Sequence, residues 1–289
     1  MTLNTLKMII FKKAADASSF IREKRAKGKT IAFVPTMGAL HAGHLSLVDM
    51  AKKSDDLVVS SIFVNPTQFN DKKDFEKYPS TIEKDIDMLE KAGCDVLFLP
   101  NVAEMYPEGT KSETHYDLGY LETILEGKFR PGHFQGVCQV VDRLLDIVQP
   151  DRLYLGQKDY QQCMVLKKMT DVRHPKTKII IAPTMREADG LAMSSRNMRL
   201  NEADRRLAVK ISETLSFIKA ESGKGYLEDI KERAKQYLTI EGFKVDYVEI
   251  ADAATLEPVE KNDGGTPLVA LIAAFVGEVR LIDNMLLDA

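Results

Sequence analysis

Apolar runs of strand length alternate with segments of helical periodicity between residues 30 and 182. Most of these runs are rich in β-branched residues, and each is followed by a loop that contains Gly or Pro. This order is typical of βαβ units, in which helices cover a parallel sheet. The pattern predicts strands at residues 30–34, 57–64, 96–99, 152–155 and 179–182.

Two of the helical segments between these strands have well-defined ends. In one, apolar residues recur at steps of three and four over residues 137–148, and Pro150 closes the segment. The other opens with Ser80 and Glu83 at the spacing of a capping box and stops at Gly93, a usual C-terminal cap. We predict that both segments are helices and that the second starts with a side-chain cap.

The pattern changes after about residue 185. Two amphipathic segments follow, with apolar positions running from Leu207 to Ile218 and from Leu227 to Leu238. The end of the chain predicts strands at residues 245–250, 268–276 and 279–283, the last two joined at Gly277-Glu278, which suits a type II′ hairpin. We therefore predict an α/β domain with a parallel sheet at residues 1–184 and a smaller α+β domain at residues 185–289.

Composition and charge exclude several classes of protein. The chain has 40 basic and 43 acidic residues, a net charge of −3, and so lacks the positive field that nucleic-acid binding uses. Its longest apolar run, Leu268–Val276, is half of the roughly 18 residues of a membrane-spanning helix. The apolar cluster at residues 8–11 is too short for a signal-peptide core. We expect a soluble, cytoplasmic protein without a nucleic-acid or membrane partner.

The cysteines do not indicate a disulfide framework or a zinc site. Cys94, Cys138 and Cys163 are odd in number, far apart and without a CxxC spacing. We therefore expect them to be thiols buried in the core.

The unusual loops follow the predicted strands, and this predicts where a ligand binds. In an open parallel sheet, ligands bind beyond the carboxyl ends of the strands. The candidate loops are residues 35–44, 65–69, 156–159 and 185–197. The RPGHF segment at residues 130–134 precedes an antiparallel helix and should lie at the same edge. We expect these segments to form one composite site.

The paired histidines of the first loop suit an anion. His41 and His44 stand three apart at a predicted helix start, beside unpaired N–H groups and the positive end of the helix dipole. Gly38 and Gly43 allow the main chain to approach a phosphate closely. The alternative is that the histidines only cap a turn. A zinc site is disfavoured because no third ligand lies nearby, so we predict no protein-bound metal.

Two further loops carry groups that suit phosphate and ribose. Lys158 would be a positive charge at a strand end, and Asp159 could accept hydrogen bonds from ribose hydroxyls. Ser194, Ser195 and Arg196 offer two hydroxyls and a guanidinium for the oxygens of a pyrophosphate. Each of these residues alone would be ordinary surface sequence, and only their combination is informative.

Gln68 and Gln162 are neutral amides that both donate and accept hydrogen bonds. Such groups suit a hydroxy acid better than a phosphate. As isolated glutamines they would carry no functional signal.

Taken together, six blocks in this order resemble the AMP-forming pantoate:β-alanine ligase family. The blocks are PTMGALHAGH, FVNPTQF, RPGHF, GQKDYQQ, READGLAMSSRN and RLIDN, and they extend from Pro35 to Asn284. The resemblance implies a Rossmann-like domain that binds ATP and pantoate, a smaller C-terminal domain that acts as a lid, and a homodimer.

The resemblance also implies a reaction and its site residues. Pantoate would attack ATP, with Mg²⁺ present, to give pantoyl adenylate and pyrophosphate, and β-alanine would then displace AMP to form pantothenate. His44 would be the proton donor, with His41 and Lys158 as the other catalytic residues, and Gln68 and Gln162 would hold pantoate. The nucleotide would contact Met37, Gly38, Ala39, Leu40, His41, Ala42, Gly43, His44, Gly156, Gln157, Lys158, Asp159, Met185, Met193, Ser194, Ser195 and Arg196.

Two positions depart from the family pattern, and three alternatives stay open. Gln157 stands where the family commonly has Glu, and Ser80 stands where the family has an Arg after Tyr-Pro. A nucleotidylyltransferase would use a similar histidine pair, although Gln68 and Gln162 disfavour it. A tRNA-charging enzyme would need a basic surface. A nucleotide sensor without catalysis would not need the full set of His41, His44, Lys158 and Arg196.

Overall fold

The computed structural model describes residues 8–70, 72–111 and 114–287. The chain divides into two compact units, one of residues up to 156 together with 162–183 and the other of Gln157–Gln161 together with residues from 184 onward. The domain boundary after residue 184 stays a prediction, and the sequence did not suggest that residues 157–161 group with the C-terminal unit.

The first unit contains a parallel sheet. Within the described residues its strands are Ile9–Phe11 (β1), Ile31–Thr36 (β2), Leu57–Ile62 (β3), Val96–Phe98 (β4), Arg152–Gly156 (β5) and Lys178–Ala182 (β6). Their order is β1-β4-β3-β2-β5-β6, and every neighbouring pair is parallel. The predicted α/β class is confirmed, and the five predicted strands end within two residues of the observed ones. The short edge strand β1 was not predicted.

The helices of the N-terminal half are Ala14–Ala26 (α1), Ala42–Ser54 (α2), Lys72–Glu76 (α3), Ile82–Lys91 (α4), Val102–Met105 (α5), Leu125–Phe129 (α6), His133–Val148 (α7) and Tyr160–Arg173 (α8). The capping box predicted at Ser80 and Glu83 is wrong. The N-cap of α4 is Thr81, which makes no side-chain cap, and its hydroxyl donates instead to Asp85 inside the helix.

The sheet opens at its centre, between β2 and β5. Strand β2 pairs with β5 at Ala32 and Phe33, whereas its pairing with β3 continues to Thr36. Pro35 lies in this last stretch and has no N–H to donate to a neighbouring strand. From β2 the chain proceeds to β3 and β4 on one side and later to β5 and β6 on the other. This is the topological switch point at which open sheets bind ligands.

Helices cover both faces of the sheet. Along β2, Ile31 and Phe33 belong to the apolar cluster that contains residues of α1 and α7. Ala32 and Val34 alternate with them and belong to the opposite cluster, with residues of α2 and α4. All four side chains are fully buried, as expected for a central strand of a three-layer α/β unit.

The cysteines are buried and free, as the sequence predicted. Burial raises the pKa of the Cys94 thiol and of the Cys138 thiol to about 12. At neutral pH both are therefore apolar thiols of the core.

The second unit is α+β. Its helices are Glu202–Ala208 (α9), Lys210–Glu221 (α10) and Leu227–Ile240 (α11), and its antiparallel strands are Lys244–Asp252 (β7), Leu268–Val276 (β8) and Val279–Leu287 (β9). The predicted amphipathic segment through residues 207–218 is helical and is divided at Val209, whose backbone stays right-handed between α9 and α10. Gly277 has φ +55°, the sign that the predicted type II′ turn requires. In the part of the chain that is described, no helix has the length and apolar character needed to cross a bilayer.

Candidate active site

The loop between β2 and α2 is held by a carboxylate from α4. The buried Asp85 accepts a hydrogen bond from the main-chain N–H of Ala39 at 2.9 Å and another from that of Leu40 at 2.8 Å. Thr81 donates to the same carboxylate at 3.0 Å. Because two successive amides bind one ionisable group, the path of the loop is fixed before the chain reaches His41.

The same loop turns sharply. The backbone is left-handed at Gly38, with φ +82°, and at Ala39, with φ +49°. A Cβ atom on Gly38 would lie 3.0 Å from Oδ2 of Asp85 and would press on the carboxylate that holds the loop. The sequence suggested this glycine for its approach to phosphate, but the geometry of the loop already requires it.

Asp85 was not among the predicted site residues. It shares the buried face of α4 with Leu89, four residues later. A carboxylate on the apolar face of an amphipathic helix must be satisfied by buried donors. A charged residue at a position of the helical period that faces the core is the signal that could have identified Asp85.

His41 and His44 form a reciprocal cap at the start of α2. Nδ1 of His41 accepts a hydrogen bond from the N–H of Gly43 at 3.2 Å, and Nδ1 of His44 accepts one from the N–H of His41 at 3.3 Å. The centroids of the two rings lie 4.1 Å apart. The structure thus brings the two histidines together, and they do cap the helix, as the alternative interpretation required.

The cap determines where a neutral ring carries its proton. Since Nδ1 of each imidazole is an acceptor, a neutral ring is protonated at Nε2. The cap therefore leaves Nε2 of each ring as the nitrogen that donates toward a ligand, next to the positive end of the helix dipole.

Gln68 is joined to the first loop and to the buried Asn65. It ends the short 3-10 helix Pro66–Gln68, and its Nε2 contacts Sδ of Met37 at 3.1 Å. Nδ2 of Asn65 donates to Oε1 of Gln68 at 3.2 Å, and Oδ1 of Asn65 accepts from the hydroxyl of Tyr106 at 2.8 Å. Contacts to both its nitrogen and its oxygen therefore fix the orientation of the Gln68 amide.

The main chain of Gln68 is held by the start of α7. The carbonyl of Gln68 lies 2.8 Å from Nδ1 of His133, and Arg130 contacts Nε2 of the same ring at 3.0 Å. Helix α7 comes so close that a Cβ on Gly136 would lie 2.3 Å from the carbonyl oxygen of Thr67. The RPGHF segment predicted to join the site thus supports Gln68 directly.

The other predicted residues of the first unit lie at the ends of elements. Ala42 and Gly43 open α2, and Gly156 ends β5. Gln162 lies in the first turn of α8 and is half-buried. A Cβ on Gly156 would meet no other atom of the described residues within 4 Å, so there is open space above this strand end.

In the second unit, a buried asparagine binds the turn that follows β5. Gln157–Asp159 is a 3-10 turn. Nδ2 of Asn284 donates to the carbonyl of Gln157 at 3.0 Å and to that of Lys158 at 2.8 Å. Nε2 of Gln157 donates back to Oδ1 of Asn284 at 3.2 Å. The RLIDN block, to which the sequence assigned no role, therefore supplies the support of this turn.

An ion pair between the partly exposed Arg186 and the buried Asp283 lies beside this asparagine. Arg186 binds Asp283 through two hydrogen bonds, at 2.7 and 3.1 Å. Burial raises the pKa of Asp283, although the guanidinium opposes the shift. Arg186 also donates to the carbonyls of Gly190 and Asn284, at 3.0 and 3.2 Å. A pair in which both partners are satisfied in this way fixes the geometry of the chain around it.

Lys158, Ser194 and Arg196 line one recess of the second unit. The empty space in and above it is about 310 Å³, which includes open solvent, and Arg280 and Asp283 also contribute to its wall. Three basic side chains and a hydroxyl around one recess suit an anionic ligand. The remaining lining residues are Leu191, Ala192, Asn197, Ile211, Leu281 and Ile282.

The segment from Met185 to Arg196 forms a small hairpin followed by a capped turn. The carbonyl of Met185 accepts a hydrogen bond from the N–H of Met193 at 2.9 Å. Ser194 caps the 3-10 helix Ser195–Arg199, since its Oγ accepts from the N–H of Arg196 at 3.3 Å. Ser195 is buried. The Ser194 hydroxyl, which was predicted to bind a ligand, therefore already accepts a hydrogen bond within the segment.

Comparisons with known proteins identify the family. The sequence model of the family described as pantoate-beta-alanine ligase matches residues 9–286. A pantothenate synthetase from Fervidobacterium nodosum is 47% identical over 269 residues, which are 92% of this chain and 95% of the relative. One from Bacteroides thetaiotaomicron is 44% identical over 271 residues, 93% and 95% of the two chains.

Solved structures agree with this assignment. The pantothenate synthetase of Thermus thermophilus superposes with a TM-score of 0.90 at 38% identity, covering 98% of this chain and 100% of that one. The pantoate-beta-alanine ligase of Francisella tularensis, solved in complex with β-γ ATP and β-alanine, gives a TM-score of 0.80 at 40% identity, covering 96% and 97%. The resemblance seen in the six sequence blocks is confirmed, and this chain belongs to the pantoate-β-alanine ligase family.

Proposed function

We propose that the protein condenses pantoate with β-alanine at the expense of ATP, through a pantoyl adenylate. A carboxylate oxygen of pantoate attacks the α-phosphorus, and pyrophosphate leaves. The uncharged amine of β-alanine then attacks the acyl carbonyl, the acyl C–O bond to the phosphate breaks so that AMP leaves, and the proton of the amine passes to solvent, so that an amide remains. Both steps require positioning and charge neutralisation more than a protein nucleophile.

The observation that carries this proposal is the contact between Gln68 and Met37. It joins a neutral amide, suited to the hydroxyl and carboxylate of a hydroxy acid, to the loop that ends in His41 and His44. This contact supports the proposal because it puts Gln68 next to the loop that leads to the start of α2, where an acceptor acid and an anion would have to meet. A nucleotidylyltransferase, whose acceptor bears a phosphate, would be better served by a cation than by the Gln68 amide.

The proposed roles follow from these positions. His44 and His41 would donate hydrogen bonds through Nε2 to phosphate oxygens, with His44 as the proton donor. Lys158 and Arg196 would neutralise negative charge that moves onto the leaving pyrophosphate. Gln68 and Gln162 would hold pantoate. The nucleotide would contact the remaining predicted residues, namely Met37, Gly38, Ala39, Leu40, Ala42, Gly43, Gly156, Gln157, Asp159, Met185, Met193, Ser194 and Ser195.

Magnesium belongs to the proposal as part of Mg·ATP. Among the described residues, no three His, Cys, Asp or Glu side chains are grouped so as to hold a metal ion. Mg²⁺ is usually bound chiefly through substrate phosphates and water, and the proposal takes this mode. The ion would lower the negative charge of the triphosphate.

Exchange of labelled pyrophosphate into ATP tests the first half of the reaction. We expect exchange that requires pantoate and does not require β-alanine. Exchange with a phosphate-bearing acceptor in place of pantoate would indicate a nucleotidylyltransferase. Absence of exchange with every acid, despite measurable ATP binding, would indicate a nucleotide sensor.

Isotope transfer tests the intermediate itself. Pantoate labelled with ¹⁸O in its carboxylate should pass one ¹⁸O to AMP, because the attacking oxygen stays on phosphorus when the amine displaces AMP. Mass spectrometry of AMP measures this transfer. Unlabelled AMP in a reaction that forms pantothenate would exclude the adenylate.

A homodimer and a cytoplasmic location complete the proposal, and both are supported by the family resemblance. Light scattering coupled to gel filtration should give twice the chain mass of 32.4 kDa. A monomer at assay concentrations would contradict the homodimer.

A further inference from the structure

The buried side-chain amide of Asn284 forms hydrogen bonds through both its nitrogen and its oxygen with the turn that carries Lys158. Asn284 is 2% exposed and lies on the edge strand β9. Its Nδ2 bridges the carbonyls of Gln157 and Lys158, at 3.0 and 2.8 Å, and its Oδ1 accepts from Nε2 of Gln157. Three hydrogen bonds from one amide to two successive residues fix both the position and the direction of that turn.

The main chain of Asn284 is fixed in its own right. Its N–H donates to Oδ1 of Asp283 at 2.8 Å, and its carbonyl accepts from Nη2 of Arg186 at 3.2 Å. Arg186 and Asp283 also bind each other through two hydrogen bonds. The main chain from which the amide of Asn284 extends is therefore held by the Arg186–Asp283 ion pair.

We propose that Asn284 is a positioning residue for Lys158. Its amide holds the backbone of the turn so that the Lys158 ammonium stays at the recess that Ser194 and Arg196 also line. A lysine is a flexible point charge, so the place of its charge depends on the backbone that carries it. This inference rests on the proposed function only in taking Lys158 to bind the phosphates of ATP.

A positioning role and a merely structural role predict different kinetics. If Asn284 acts through Lys158, its loss should weaken the use of ATP and leave the KM for β-alanine unchanged. A misplacement of the order of 1 Å costs up to about 10²-fold in such sites. General destabilisation would instead reduce the amount of active enzyme and affect every substrate alike.

The test is a double-mutant cycle with Lys158→Ala. Asn284→Ala alone should lower kcat/KM for ATP by about 10- to 100-fold, and in the Lys158→Ala background it should have little further effect. Asn284→Asp keeps the shape but turns a carboxylate oxygen toward the two carbonyls, and we expect it to lose at least as much. Leu286→Ala, an exposed change on the same strand, should behave as the wild type.

Binding of ATP, measured by calorimetry on the full chain, separates this proposal from the proposed function. If the wild type shows no pantoate-dependent exchange, the proposed function fails, and the cycle is then evaluated on ATP dissociation constants. Independent losses for Lys158→Ala and Asn284→Ala would overturn the positioning role. So would unfolding of both Asn284 variants, since the residue would then be required for folding.

Discussion

The carboxylate of Asp85 and the main-chain amide of Leu40 are joined by a buried hydrogen bond of 2.8 Å, although the residues lie 45 positions apart. Ala39 donates to the same carboxylate. Helix α4 thereby sets the loop that ends in the histidine pair. The anion site predicted at the start of α2 depends on a residue of a different helix.

Replacing Asp85 should therefore damage both stability and catalysis. Asp85→Asn offers one carbonyl oxygen where three donors converge, and its NH₂ group would face a second donor. We expect a loss of about 1–3 kcal/mol in the free energy of unfolding, the cost of a buried polar group left unsatisfied. Pyrophosphate exchange should fall as well, because the loop would shift. Urea unfolding and the exchange assay measure the two effects.

Asp87→Asn is the matched control. Asp87 lies on the same helix and forms an exposed pair with Lys91, four residues later. Such pairs contribute about 0.3–0.5 kcal/mol. Equal effects of Asp85→Asn and Asp87→Asn would show that the carboxylate of Asp85 does not organise the loop.

The histidine pair allows capping and catalysis to be separated. His41→Asn keeps a good N-cap, so the free energy of unfolding should stay within about 0.5 kcal/mol of the wild type while exchange declines. His44→Ala should lower the adenylation rate by about 10²- to 10⁴-fold, the range for a positioned acid or charge donor. Single-turnover formation of AMP measures the rate. A loss below about threefold for His44→Ala, with unchanged stability, would remove His44 from the chemistry.

Local sequence patterns predicted much of the fold. Strands such as β3 and β5 are short, largely apolar runs bounded by loops, and α7 has a strong 3.6-residue period, so their identity follows from short-range preferences. The edge strand β1 has only three residues and its pairing with β4 joins residues 9 and 96, which no local pattern reveals.

Site residues could be predicted only where a charged or titratable side chain lies in a loop that follows a predicted strand. His41, His44 and Lys158 were found because charged or titratable residues follow strand ends. Asp85 and Asn284 were missed because each acts on backbone atoms far along the chain, and backbone partners leave no trace in residue identity. Their burial despite polarity was the remaining clue.

A buried carboxylate on α7 should control stability in acid. Asp142 accepts hydrogen bonds from Tyr116 at 2.8 Å and Arg173 at 2.9 Å, and lies 2.6 Å from Nε2 of His174. Burial alone would raise the pKa of Asp142, but these partners outweigh it and lower the pKa to about 2. The folded state therefore favours the ionised form.

Ionisation of Asp142 stabilises the fold only above a certain pH. Because the folded pKa of Asp142 lies below its unfolded value, the stabilisation is present above about pH 4 and is lost as the pH falls toward 2. Asp142→Asn should cost about 2 kcal/mol at pH 7, and the difference from wild type should narrow below about pH 4. Asp146→Asn, an exposed change on the same helix, should have little effect. A constant difference between pH 7 and pH 3, measured by urea unfolding, would contradict this.

The open space above Gly156 gives the last prediction. A Cβ at this strand end meets no atom of the described chain within 4 Å, and its φ does not lie in the left-handed region. Gly156→Ala should therefore fold normally and gain about 0.4–1 kcal/mol from the less flexible unfolded chain. The same holds for Gly223→Ala, whose position is equally open and lies outside the proposed site.

Gly156→Ala and Gly223→Ala should differ only in their affinity for ATP. If the nucleotide lies against the backbone at Gly156, an added methyl group occupies its space, and the dissociation constant should rise by about tenfold, since each 1.4 kcal/mol of lost contact is one order of magnitude. Gly156→Val should raise it further, whereas Gly223→Ala should leave it unchanged. Calorimetric titration with Mg·ATP measures this dissociation constant for each variant. Wild-type affinity in Gly156→Val would mean that the nucleotide does not approach the end of β5, because none of the described side chains competes for that space.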